Sequence, residues 1–468
     1  MTQRFHNVAE PGSPEARDLA SLLHPNTNLV LHERDGPLVM ESAQGVIIRD
    51  RHGKEYIEAM GGLWCTALGY GDEEVAEVAA ASLRKMSYGH LFGSKSHEPA
   101  IALAEELKAM VPVEDGRVFY GCSGSDANDT QIKLIRYYFN AIGKPTKKKF
   151  ISRWKGYHGV TLASGSLTGL PAFHAHFDLP MEGVHHVAAP HYRRFAQEGE
   201  SETAFVDRLG EELEQAIVRE GPETVAAFIA EPVQGAGGVI VPPATYFARV
   251  QAILAKYEVL FIADEVITGF GRTGQPFGCD TFGITPTTIS LAKALSSAYL
   301  PISAVVVPGW MVDAITEASA DVGVFGHGFT YSGHPVCAEV ALKVLEIYRR
   351  RDLFAHAAAL SEGFQARLRS FEGHPIVAEA RGVGLIGAIE LEADPARKQS
   401  FDPTAGIGAY CAKRAEAHGL IVRPLGDSLA FCPPLVITEA ELDQVFERFA
   451  LALDDTLAYV RAEGLVAA

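Results

Sequence analysis

Residues 117–142, RVFYGCSGSDANDTQIKLIRYYFNAI, hold the reading that decides the fold. RVFYGCSG has strand character and runs directly into a helical segment, DANDTQIKLIRYYFNAI, with only a glycine-serine turn between them. The pattern recurs further along the chain. KKFISRW (148–154), AAFIAEP (226–232), VLFIADEV (259–266) and ISAVVV (302–307) are short apolar runs rich in β-branched residues, and helical patterns lie between several of them. Strands that are apolar throughout and alternate with helices predict a parallel sheet covered by helices on its faces, an α/β fold.

Flanking segments complete the outline. GVIIRDRHGKEYIEA (45–59) predicts a hairpin turning at His52-Gly53, and Pro11 to Pro14 mark a loop before it. Asp72 caps a helix whose Val75, Val78, Ala79, Leu83 and Met86 follow helical spacing, and Pro99 sits in the first turn of the next. Beyond about Pro335 long helices dominate (337–351 and 353–371). A strand pair follows around GVGLIGAIELE (382–392), then a helix, a short strand LIVRP (420–424) and a last helix from Glu439 to about Val460. This tail reads as a smaller α+β unit.

Composition sets the bounds. The 468 residues are 47% apolar and 21% charged, which suits a large packed core and excludes disorder, collagen-like repeats and coiled coil. The formal charge of −17 argues against nucleic acid as a partner, though not against one local phosphate. No run of about 18 apolar residues is present to span a membrane. The opening MTQRFHNVAEPGSPEAR has no apolar leader core. Six scattered cysteines without a CxxC point to reduced thiols, so a cytoplasmic location is expected.

Several motifs are weak. Gly269–Gly274 and Gly382–Gly387 match G-x-G-x-x-G, but neither opens a helix, so turn glycines are expected rather than a dinucleotide site. Ser290 and Lys293 match the S-x-x-K of serine acyl-enzymes, without a following K-T-G. His174, His176 and Asp178 have metal-ligand character but no recognised framework, and no metal is expected.

Three signals are stronger. Ser123, Gly124 and Ser125 join a strand to a helix start, where backbone N–H groups and hydroxyls form a cradle for one phosphate; Ser125 or Asp126 would equally serve as a helix cap. Asp264 ends a buried strand, where a carboxylate is costly unless it is paired or functional. Lys293 lies in an apolar stretch, where desolvation favours a neutral, nucleophilic amine. A phosphate cradle, a buried carboxylate and a desolvated lysine are together what pyridoxal 5'-phosphate requires.

With these residues in view, the chain resembles the class III aminotransferases of pyridoxal-phosphate fold type I, and among them the pyruvate-dependent ω-transaminases or amine:pyruvate aminotransferases. The motifs are GGLWC (61–65), SGSDAND (123–129), WKGYHG (154–159), AEPVQGAGG (230–238), IADEVITGFGRTG (262–274), SLAKAL (290–295) and FTYSGHP (329–335), in family order. The resemblance implies a large domain (61–335) with a mainly parallel seven-stranded-type sheet. It implies a small α+β domain built from both chain ends (1–60 and 336–468). It implies Lys293 as the internal-aldimine lysine and proton shuttle, and Asp264 as partner of the pyridinium nitrogen. Val266 and Tyr157 would pack on the two faces of the ring. Ser123, Gly124 and Ser125 would hold the phosphate, with His158 among the cofactor-binding residues and Glu231 near the phenolic oxygen and the substrate. Thr330, with Phe329 beside it, would reach the phosphate of a neighbouring subunit. That makes the enzyme a homodimer with shared active sites, and leaves open whether two dimers pair. Trp64 would wall the amine pocket, and Arg423 would clamp the carboxylate of the keto acid. The alternative readings are a core aromatic for Trp64 and a surface ion pair for Arg423.

Two positions depart from the common pattern. Asp126 stands where many relatives carry Glu, and Ile267 where many α-ketoglutarate users carry Gln. The second departure favours pyruvate as acceptor. The expected activity is ping-pong transfer of an amino group from a primary amine or ω-amino acid to pyruvate, giving alanine. An ω-amino acid:α-ketoglutarate transaminase or an aminomutase of the same family is the alternative, and a Ser290/Lys293 acyl hydrolase a distant one.

Overall fold

The computed structural model describes residues 10–466. The first nine residues, part of the stretch read above as lacking a leader, and the last two lie outside the described residues.

Seven strands form the large sheet. In spatial order they are Arg117–Gly121, Ser303–Val307, Thr288–Leu291, Leu260–Asp264, Val225–Ala230, Lys149–Arg153 and Val184–Val187. Ser303–Val307 runs antiparallel to both its neighbours, and every other pairing is parallel. The mainly parallel sheet expected from the sequence is therefore present, with one reversed strand inside it.

Both faces of this sheet are buried, which explains why its strands read as continuous apolar runs. Successive side chains point to opposite faces. Ile151, Phe228, Phe261, Ala263 and Val306 join one apolar cluster, with Phe205, Phe247 and Leu254 from covering helices. Phe150, Ile229, Ile262, Val305 and Val307 join another, with Ile135 and Phe139 from the helix Gly124–Ala141.

Two smaller sheets flank it. Met40–Gln44, Ile47–Asp50 and Glu55–Glu58 form an antiparallel meander whose turn at Gly53 has φ +80°, as the hairpin reading expects. Leu420–Ile421 joins it, parallel to Glu55–Glu58, so residues from the two chain ends share one sheet. Val377–Val383, Ile386–Leu391, Ser428–Phe431 and Arg423–Leu425 form the third sheet. LIVRP is thus not one strand, as the sequence reading has it. It divides at Val422 between two sheets. Pro424 has no N–H to give to a ladder and so sits on an edge strand, paired with Leu429.

The amino-terminal loop reading also needs correction. Pro14 opens a short helix, Pro14–Ser21, because Ser13 caps it: the Ala16 N–H donates to Ser13 Oγ at 3.2 Å. All six cysteines are free, and no helix among the described residues is long and apolar enough to cross a membrane.

Candidate active site

Five strands of the large sheet deliver their following residues to one edge, the carboxyl ends where open α/β sheets bind ligands. Ser123 follows Arg117–Gly121, Tyr157 follows Lys149–Arg153, Glu231 follows Val225–Ala230, Asp264 ends its own strand, and Lys293 follows Thr288–Leu291.

Asp264 is buried and its carboxylate is saturated with donors. His158 Nδ1 and Asn128 Nδ2 both lie 2.8 Å from Oδ2, and the Val266 N–H donates to Oδ1 at 3.1 Å. The Val266 contact caps the turn that follows the strand, while the carboxylate keeps its two other partners. Asn128 also donates to the His158 carbonyl at 2.7 Å, tying the two loops together. Sequence reasoning missed Asn128, although it lies inside the SGSDAND motif. The available signal was a polar residue on the inward face of an amphipathic helix, where it is 1% exposed.

Lys293 occupies a 3₁₀ turn, Lys293–Leu295, rather than a regular helix. Its φ of +49° is left-handed backbone, a costly conformation for a side chain of this size. Tyr348 holds the turn by donating its hydroxyl to the Ala294 carbonyl at 2.6 Å. Burial pushes the Lys293 amine below the usual lysine range, and nearby Arg423 pushes the same way; Cys65, Asp264 and Glu231 oppose it. Asp264, Glu231 and Arg423 are thus among the charged groups that bear on this amine.

Glu231 is buried and pushed above the ordinary carboxylate range chiefly by that burial. It accepts from the Tyr157 N–H and from the Gly235 N–H, each at 2.9 Å. It therefore fixes the backbone that carries Tyr157, whose own hydroxyl is pushed up by burial.

The turn at residues 123–125 differs in detail from expectation. Ser123, not Ser125 or Asp126, is the helix cap: the Asp126 N–H donates to Ser123 Oγ at 3.2 Å. The Asp126 carboxylate in turn receives the Ser123 and Cys122 N–H groups at 3.0 and 2.8 Å. Asp at the third helical position closes a reciprocal capping box. Ser125 Oγ accepts from the Val160 N–H at 3.2 Å. The N–H groups of Gly124 and Ser125 have no protein acceptor among the described residues, as the first turn of a helix leaves them. Gly124 lies against Val266: a Cβ there would sit 3.1 Å from Val266 Cγ1.

Trp64 is 2% exposed, in the apolar cluster with Met60, Val233, Ile267 and Cys432. It adopts φ +67°, and the exposed residue of this turn is its neighbour Leu63. Trp64 is thus a packed aromatic, next in the chain to Cys65. Arg423 is half-buried, forms no ion pair among the described residues, and is pushed below the usual arginine range by desolvation. The surface ion pair weighed for it is absent. Phe329 is half-buried and Thr330 exposed. Within one chain neither joins this cluster by hydrogen bond or ion pair; the Thr330 carbonyl accepts from the Tyr88 hydroxyl at 2.8 Å.

Other candidates separate from the site. Ser290 is fully buried inside the sheet and its hydroxyl accepts from Gln131 at 3.1 Å, so it is no accessible nucleophile. His174 contacts the Gly165 carbonyl at 3.1 Å, and its ring does not converge with His176 and Asp178 on a metal position. Gly269–Gly274 lies in turns and Gly382–Gly387 spans a hairpin; neither opens a helix.

The residues present fit pyridoxal phosphate. A free N–H pair at a helix start suits its phosphate, a donor-saturated buried carboxylate suits its ring nitrogen, and a desolvated amine suits its aldehyde. Fold and site together define a pyridoxal-phosphate-dependent transferase. The chain belongs to the class III aminotransferases: residues 31–453 match the family model for aminotransferase class III. It is 48% identical over 421 residues to a tomato (Solanum lycopersicum) protein named gamma aminobutyrate transaminase 3, chloroplastic, covering 90% of this chain and 81% of that one. It is also 48% identical over 460 residues to gamma-aminobutyrate transaminase 1, mitochondrial, of Oryza sativa subsp. indica, covering 97% and 89%. Among solved structures it superposes on the ω-transaminase of Pseudomonas jessenii in complex with PMP, with a TM-score of 0.94 and 51% identity, covering 96% of this chain and 99% of that one.

Proposed function

We propose that this aminotransferase moves an amino group from a primary amine or ω-amino acid to pyruvate, giving alanine, in two half-reactions at one site. The observation that carries this reading is the charge inventory around Lys293. Arg423 bears on the amine and forms no ion pair among the described residues. One guanidinium suits an acceptor with one carboxylate beside its keto group. Ile267, 5% exposed in the Trp64 cluster, offers no donor for a second. The plant relatives carry γ-aminobutyrate in their names, which supports that ω-amino acid as a donor to test.

When bound, pyridoxal phosphate supplies the electron sink that makes the substrate's Cα–H acidic. The chain's residues do the rest. Lys293, its amine pushed down by burial, would be the covalent anchor and would then carry the proton from Cα. Asp264, held by His158, Asn128 and the Val266 N–H, would face the ring nitrogen with its carboxyl group fixed in place. Glu231 holds Tyr157 in place. Arg423 takes the acceptor's carboxylate.

The same reading makes the enzyme a homodimer. Thr330 is exposed among the exposed aromatics Tyr88, Phe92 and Tyr331, a surface suited to a second copy.

The test is a donor and acceptor panel, with alanine, γ-aminobutyrate and simple primary amines against pyruvate and α-ketoglutarate. Higher kcat/KM with pyruvate is the expected result. A preference for α-ketoglutarate, or turnover without any keto acid, overturns the proposal.

A further inference from the structure

Far from Lys293 in the sequence, Asp18, His24 and His32 bring three ligating atoms within 4.8 Å of one another. Asp18 lies in the helix Pro14–Ser21, His32 in the helix Leu29–Asp35, and His24 in the loop between them. His24 Nε2 is 2.8 Å and His32 Nε2 3.3 Å from the same atom, Asp18 Oδ2. The two imidazole rings lie 4.0 Å apart between centroids. A side-chain triad held only by hydrogen bonds would satisfy both rings. Here His32 Nε2 is buried without a hydrogen-bond partner, on a side chain 10% exposed and aimed at the carboxylate.

The packing of the segment adds a second argument. Neither helix contributes a single buried residue, and Leu22 and Leu23 in the loop are 62% and 81% exposed. Helices of eight and seven residues are too short to persist on propensity alone. Asp18 and His32, by contrast, are well shielded, at 16% and 10% side-chain exposure.

We propose that Asp18, His24 and His32 bind one divalent ion of the zinc class, which clips the two helices together. Two imidazole nitrogens and one carboxylate oxygen are ligands of that class, and zinc at about 2.0–2.1 Å from each holds them about 3.3 Å apart, a spacing close to the 2.8 and 3.3 Å contacts of the two rings with Asp18 Oδ2. Solvent completes the tetrahedron on the exposed side. The other convergence of this kind, His191, Glu379 and Glu390, already holds a cation of the protein, because Arg381 donates to both carboxylates.

The test uses the full-length holoenzyme, stripped of metal with a chelator and titrated with Zn²⁺ in a calorimeter. One high-affinity equivalent per chain is expected, absent with Mg²⁺, which prefers oxygen ligands. His24→Ala and His32→Ala should each weaken it by more than about tenfold, the effect that losing even an outer-shell partner has. His52→Ala, an exposed histidine outside the triad, should leave it intact. Co²⁺ should give the visible spectrum of a four-coordinate site in the parent and not in His32→Ala. No stoichiometric Zn²⁺ binding, binding unchanged in both triad variants, or equal binding of Mg²⁺ overturns the proposal. Amine transfer is not a readout, so this result stands apart from the assignment of the Lys293 site.

Discussion

His158 Nδ1 lies 2.8 Å from Asp264 Oδ2, and both side chains are buried at the carboxyl end of the central strand. The imidazole belongs to the loop after Lys149–Arg153 and the carboxylate to Leu260–Asp264, so the contact spans the strand between them. It orients a negative charge that burial alone would make costly.

Replacing that charge should be felt in the chemistry more than in substrate binding. Asp264→Asn removes a preorganised electrostatic group, a loss of about 10²–10³ in rate. Single-turnover measurement of the donor half-reaction should show this drop in the chemical step, with substrate affinity little changed.

Asn128 donates to both Asp264 and the His158 carbonyl, and is buried. Asn128→Ala leaves two buried acceptors short of a donor, at a cost of about 1–3 kcal/mol. Denaturant titration should show a lower midpoint with an unchanged slope. A wild-type midpoint would mean that neither bond matters to stability.

Arg423→Leu removes the unpaired guanidinium. Losing a charged hydrogen bond costs about 2 kcal/mol, so KM for pyruvate should rise roughly thirtyfold. KM for an amine without a carboxylate should stay near its original value. Equal changes for both substrates would remove the clamp from the account.

Glu58 gives a pH prediction. Burial pushes its carboxyl up to about 7, against the backbone N–H groups of Gly62 and Met60, the Tyr70 hydroxyl and the charge of Arg272. The folded pKa is raised, so between about 4.5 and 7 the folded state binds a proton that the unfolded state has lost. Stability therefore falls as pH rises through that window. Relative to Glu58→Gln, the parent should lose on the order of 3 kcal/mol between pH 5 and pH 8. Because Met60 and Gly62 precede Trp64, this carboxylate also governs the turn carrying that aromatic. Denaturation of both proteins across that range checks the sign.

The large sheet was legible because a strand buried on both faces must be apolar at every position, and its helices must separate such strands. Lys293 and Asp264 stood out for a related reason: each is an ionisable group at the end of an apolar run. Asn128 did not, because a polar residue on a helix is unremarkable until its partners are known, and those are 30 and 136 residues away. The division of LIVRP at Val422 was hidden because both halves look alike locally, and only long-range pairing assigns them to different sheets. The cap at Ser123 escaped because Ser123, Ser125 and Asp126 are all good capping residues, and the backbone decides among them.

The most direct measurement of the central claim is chemical trapping at Lys293. The holoenzyme is reduced with borohydride, digested with trypsin and analysed by mass spectrometry. The expected result is the reduced cofactor attached to Lys293, with trypsin failing to cut after it and with Lys293→Ala carrying none. Attachment to a different lysine, or none in the parent protein, would contradict the account.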